Sequence, residues 1–185
     1  MGNLPGGSAE QADGPMILTE ARTNIDAGTY LARPAERLVL EGYRGWTWTL
    51  ARASREPLTR TCRLYRSELG EHAGPVLEAL KGFALALGLG TTRSLKMCCA
   101  EAPALCRDEV LVLGLIAAIQ HSDEQGTDWC LARLSHPLLF EPLSLAAGSY
   151  ALLLRGLGRT LLPIPLGILE AVELGGAAPD KNTVH

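Results

Sequence analysis

Three cysteines and a histidine frame one uncharged stretch of this chain. In CCAEAPALCRDEVLVLGLIAAIQH, residues 98–121, Cys98, Cys99 and Cys106 precede ten residues without charge, 110–119, and His121 follows them. Thiolates and imidazoles that converge at bond distance hold zinc or an iron–sulfur cluster, and a thiol at a helix N-terminus is activated for redox or nucleophilic work. Spacing limits both chemistries. The order Cys98, Cys99, Cys106, His121, Cys130 contains no C-x-x-C pair, the arrangement that lets one turn present two sulfurs to one ion. If 107–121 is one helix, Cys106 and His121 stand about 22 Å apart at its ends and share no ion. The candidate metal set is then Cys98, Cys99, Cys106 and Cys130, and a redox pair would join Cys106 to a second thiol. The helix N-terminus lowers the Cys106 pKa, whereas Asp108 and Glu109 in the same turn raise it, and the sequence leaves that balance open. Cysteine is also among the most buried residue types. With knuckle spacing missing, reduced thiols used for packing are the favoured reading, Cys62 included, and no cofactor is predicted; zinc or an iron–sulfur cluster is the alternative.

A second group of residues is basic. Residues 33–66 hold eight arginines against Glu36, Glu41 and Glu56, whereas residues 101–128 hold six acids against Arg107 alone. Such a split makes either two binding faces or an internal match. On a helix beginning at Pro34, Arg33, Arg37, Arg44 and Trp48 align on one stripe, opposite Val39, Tyr43, Trp46 and Leu50. Guanidinium and indole groups together suit flat, anionic or aromatic targets, so this stripe is the candidate partner-binding surface. Glu41 lies on the same stripe and can pair with Arg37 or Arg44 as an ordinary surface ion pair. A nucleic-acid target is the weaker alternative, because the whole chain carries a net charge of −3.

The elements that must position these residues read as helices. Nearly half of the chain is apolar, yet it has only three Trp, four Tyr and two Phe, so a Leu/Ala core is expected. After the first helix, a second is expected over 56–69 with Leu58, Cys62, Tyr65 and Leu69 on its core stripe, closed by Gly70. A third runs from 75 to about 87, with Gly88 and Gly90 as stop signals. The fourth, 107–121, is apolar all round at its centre, the mark of a helix surrounded by others. A short fifth opens at Thr127 as its cap and carries Trp129, Cys130 and Leu134. A sixth follows over 143–155, then a Pro163/Pro165 turn and a brief final helix to Gly175. The predicted fold is all-α: a compact bundle of about six helices over 31–175 around the buried helix 110–119, with a disordered leader at 1–30 and a disordered tail at 176–185.

Several function classes lack local support. The chain has no G-x-x-x-x-G-K-[ST] loop, no G-x-S-x-G and no H-E-x-x-H, and His72, His121, His136 and His185 are scattered, so an enzyme is not expected. No run reaches the roughly 18–20 apolar residues of a spanning helix, and the first residues carry no secretory pattern, so no transmembrane segment and a cytoplasmic location are expected. The segment 138–174 is apolar enough to close the core, line a groove or touch a membrane surface. The functional expectation is a regulator, adaptor or accessory factor that binds a protein partner.

Overall fold

The computed structural model describes residues 32–52, 55–98 and 105–175; the leader expected at 1–30, the tail expected at 176–185 and Cys99 lie outside them. Seven α-helices form among the described residues: α1 Pro34–Arg52, α2 Glu56–Leu69, α3 Ala73–Gly90, α4 Arg107–His121, α5 Glu124–Leu134, α6 Phe140–Gly156 and α7 Leu166–Gly175. Single 3-10 turns at Gly70–His72 and Pro137–Leu139 join α2 to α3 and α5 to α6. No strand occurs among these residues. The expected all-α bundle around a central helix is what forms.

The centre is α4, whose residues from Asp108 to Ala118 are all buried, as is Gln120. It touches α1, α5, α6 and α7, while α3 packs mainly along α6 and also meets α1 and α2. Gly114 lies where the neighbours come nearest. A Cβ there would stand 2.9 Å from the Leu169 side chain of α7 and 3.2 Å from Cys130 Sγ of α5, so hydrogen is the only substituent that fits without displacement. The end of α4 is latched by hydrogen bonds. Buried Gln120 donates from Nε2 to the carbonyls of Ala151 and Arg159 and accepts from the Leu161 amide at 2.8 Å. His121 Nε2 meets the Leu161 carbonyl at 2.8 Å.

Around this centre the apolar stripes follow the sequence with local departures. Tyr65 and Leu69 of α2 are buried as expected, Leu58 and Cys62 are half-buried, and Thr61 is buried beside them. Tyr65 reaches across the core, donating to the Leu38 carbonyl at 3.0 Å and meeting Tyr150 Oη of α6. On α1, Val39 and Tyr43 are buried, but Leu50 is 53% exposed because burial falls away on every side after Gly45. Helix α5 starts at Glu124 rather than at Thr127. Its cap is Asp123, whose carboxylate accepts the Gly126 amide at 2.9 Å, while the Thr127 hydroxyl donates to the Asp123 carbonyl. Two helical stretches, Glu56–Gly90 and Pro137–Gly156, are long and apolar enough by length and composition alone to cross a membrane, a test that core helices of soluble proteins also pass. Each also supplies core residues, Phe83 stacking on Tyr150 between them.

The α1–α2–α3 contact can be tested at its glycines. A Cβ on Gly42 would run into Tyr65 Oη and come within 3.0 Å of Leu80, whereas Gly82 has nothing within 4 Å. Gly42→Ala is expected to lower the unfolding free energy by about 1–3 kcal/mol through overpacking. Gly82→Ala, in an exposed helical position, is expected to raise it by about 0.4–1 kcal/mol. Urea unfolding of the two variants checks the pair, and effects of the same sign would contradict this packing.

Candidate functional site

The N-terminus of α4 brings together three of the eight candidate site residues that the sequence singles out, Arg44, Cys98 and Cys106. Cys106 is the N-cap of α4 in extended conformation, and Glu109 closes a capping box by accepting the Cys106 amide at 2.9 Å. The same carboxylate does three further things. Arg44 of α1 grips it with two hydrogen bonds, Nε to Oε1 at 2.7 Å and Nη2 to Oε2 at 3.1 Å, and the Cys98 amide donates to Oε1 at 3.0 Å. Glu109 is fully buried and the Arg44 side chain is 2% exposed. Burial opposes the Arg44 charge, and the Glu109 carboxylate more than offsets it, leaving the guanidinium pKa above its ordinary value.

Asp108, one residue earlier, is buried too. Arg93 holds it through both terminal nitrogens, Nη1 at 2.7 Å, and the Lys96 amide donates to Oδ2 at 2.7 Å. Tyr43 Oη and Cys106 Sγ both donate to the Lys96 carbonyl, at 3.3 and 3.1 Å. Two adjacent carboxylates thus tie residues 93–98, which have no helix of their own, onto the first turn of α4. Burial raises the Asp108 pKa, but the Arg93 guanidinium, the Lys96 amide and the Arg107 charge outweigh it and hold the carboxyl below its usual value.

The thiols divide into two places. Cys98 Sγ, Cys106 Sγ and a Glu109 oxygen all lie within 4.8 Å of one another. Cys130 does not join them. It packs in the core against Gly114, eight residues and about 12 Å of helix axis from Cys106. The expected four-cysteine set is therefore corrected: Cys98 and Cys106 converge, Cys130 is a core residue and Cys99 lies outside the described residues. The balance left open at Cys106 also resolves. Burial foremost, with the Glu109 and Cys98 charges adding to it, pushes the Cys106 thiol up to about 12, and burial does the same to Cys130. Cys98 is raised as well, by burial first and then by Glu109. These thiols are protonated at neutral pH.

The expected arginine stripe is broken in the same way. Arg33 and Arg37 are at the surface, Arg33 paired with Glu36 at 2.9 Å and Arg37 with Glu68 at 3.2 Å. Arg44 is not on that surface, because the N-terminus of α4 approaches this side of α1 and takes it into the ion pair with Glu109. Trp48 is half-buried. A different basic face is present on α2, where Arg60, Arg63 and Arg66 are exposed and, among the described residues, no acid stands within ion-pair distance of any of them. The sequence held the signal, an arginine at every third position from 60 to 66. Glu109 was legible only as a helix-start acid, since nothing local tells that its partner lies in α1.

Compared with models of known protein families, with curated proteins and with solved structures, the chain matches none.

Removing one member of the buried pair leaves the other charge without its partner. Arg44→Met is expected to cost about 3–5 kcal/mol at pH 7, read from urea unfolding. Acid should act through Asp108. Its folded pKa lies below the ordinary 3.8, so the unfolded chain takes up that proton first as the pH falls. The stability it contributes is complete above the unfolded value and is lost as the pH falls through the folded one. Asp108→Asn should flatten this acid limb in thermal melts taken from neutral to strongly acidic pH; a limb of unchanged steepness would remove Asp108 from it.

Proposed function

We propose that this protein is a helical accessory or regulatory factor that acts by binding an acidic protein partner through the arginine face of α2. One observation carries this reading. Arg33, Arg37, Arg44, Arg93, Arg107, Arg133 and Arg159 each stand against a carboxylate of the same chain, whereas among the described residues Arg55, Arg60, Arg63, Arg66, Lys96 and Arg155 have no such partner, and the first four of these lie on α2 or at its N-cap. Among the described residues, four of the six cations without a carboxylate partner thus belong to one helix, and Arg60, Arg63 and Arg66 follow one another along its exposed side. Guanidinium groups there present forked donors that fit carboxylates in pairs, so the face selects anionic side chains. Exposed charges of this kind set association rate and partner choice more than raw affinity.

Two features favour binding over covalent chemistry. The thiols best placed by their position at α4 are held protonated by burial and neighbouring carboxylates. The buried arginine and carboxylates are saturated by one another and by backbone amides rather than aimed at solvent.

Affinity capture with the full chain tests the proposal when the same bait is compared with Arg60→Glu/Arg63→Glu/Arg66→Glu. These positions are exposed, so far-UV circular dichroism and melting temperature should remain near wild type. A partner retained by the wild-type bait, weakened by salt and lost from the triple variant is the expected result. An identical set of partners on both baits would refute the assignment. Retention of a nucleic-acid duplex in place of protein, with affinity falling steeply as salt rises, would transfer the face to a nucleic-acid target.

A further inference from the structure

We propose that Cys98, Cys106 and Glu109 form a zinc-binding site, with two thiolates and one carboxylate oxygen as protein ligands and a fourth position open to a small ligand. The donor atoms already lie within 4.8 Å of one another, so closing them onto one ion asks for rotation of the two cysteine side chains and release of one amide hydrogen bond by the Glu109 carboxylate. They come from two separate stretches of chain. Cys98 belongs to the extended segment before α4 and Cys106 to its N-cap, and the Glu109 carboxylate holds the amides of both, which fixes the two cysteine backbones side by side. In the metal-free site the Cys106 thiol donates to the Lys96 carbonyl, a bond given up when its proton leaves. Both cysteines remain half-buried, so an ion has a route in from solvent.

Charge balance admits a divalent cation here. Arg44 cancels Glu109 and Arg93 cancels Asp108, so the surroundings of the two thiols are close to neutral. Zinc binding replaces two thiol protons, which leave to solvent, by one doubly charged ion, and the site's net charge does not change. Glu109 exchanges one of its amide hydrogen bonds for the metal. A four-iron or two-iron cluster takes four thiolates, and among the described residues only these two converge, so zinc fits the donor set better. Three protein ligands with an open position distinguish this arrangement from a closed structural zinc site.

The test uses the full-length, reduced, chelator-treated protein and cobalt(II) as the probe, followed by zinc. Expected is an equimolar cobalt complex with a thiolate-to-cobalt band in the near ultraviolet, bleached by zinc, and a zinc X-ray absorption spectrum with two sulfur and two oxygen or nitrogen neighbours. The band should vanish in Cys98→Ala/Cys106→Ala and persist in Cys62→Ala and in Cys130→Ala. Absence of the band in the wild type, its persistence in the double variant, or a shell of four sulfurs would each overturn the proposal. A readout that needs no variant comes from maleimide labelling mapped by mass spectrometry. Zinc should protect Cys98 and Cys106 in the native wild-type protein, and equal labelling with and without zinc would refute the site.

Discussion

Two carboxylates stand at the first turn of a helix that is buried on every side, and the neighbouring chain is arranged around them. Taking a carboxylate out of water costs several kcal/mol even after relaxation, so each must be met by charge and by hydrogen bonds. Glu109 is met by Arg44 and by the amides of Cys98 and Cys106, and Asp108 by Arg93 and the Lys96 amide. These contacts join α1, the segment before α4 and α4 itself at one point. They also explain how residues 93–98 keep a definite path without helix or sheet. At the other end of α4 the partners are backbone groups: Gln120 and His121 meet backbone carbonyls and the Leu161 amide, and Arg155 donates to the Gln120 carbonyl.

This division shapes where charge remains for other purposes. The acidic and basic segments of the sequence are partly an internal match, Arg44 with Glu109 and Arg93 with Asp108, and partly not. Arg60, Arg63 and Arg66 stay on the outer side of α2, and Glu124 and Asp128 are exposed on α5. An unmatched surface can be substituted at little structural cost, whereas the matched core cannot. The proposed partner face and the proposed zinc site therefore lie on opposite sides of that distinction: one is a set of side chains the fold does not use, the other is built from groups the fold has fixed.

Much of the fold was legible because α4 announces itself. Its bounds follow from an acidic start, an apolar middle and a histidine end, and α2 follows from its core stripe and closing glycine. The start of α5 was misread because Thr127 and Asp123 are both good caps, and only the αL residue Ser122, at φ 57°, decides where the chain turns. Arg44 was misplaced for a different reason. Helical periodicity assigns a face but cannot say which neighbour arrives there, and the partner is Glu109, 65 residues away. The place of Cys130 follows from the same turn. In a hairpin turning at residue 122, residue 130 falls beside Gly114, and a helix ending at Leu134 never returns to the level of Cys106.

The separation of Arg44 from Glu109 has a consequence for how the chain is made. Synthesis delivers α1, α2 and α3 before any of α4 exists, and during that interval Arg44 has no buried carboxylate to receive it. A guanidinium without its counter-charge stays hydrated, so the side of α1 that carries it cannot close. The side of α1 that carries Arg44 is thus completed only when α4 arrives to pair with it.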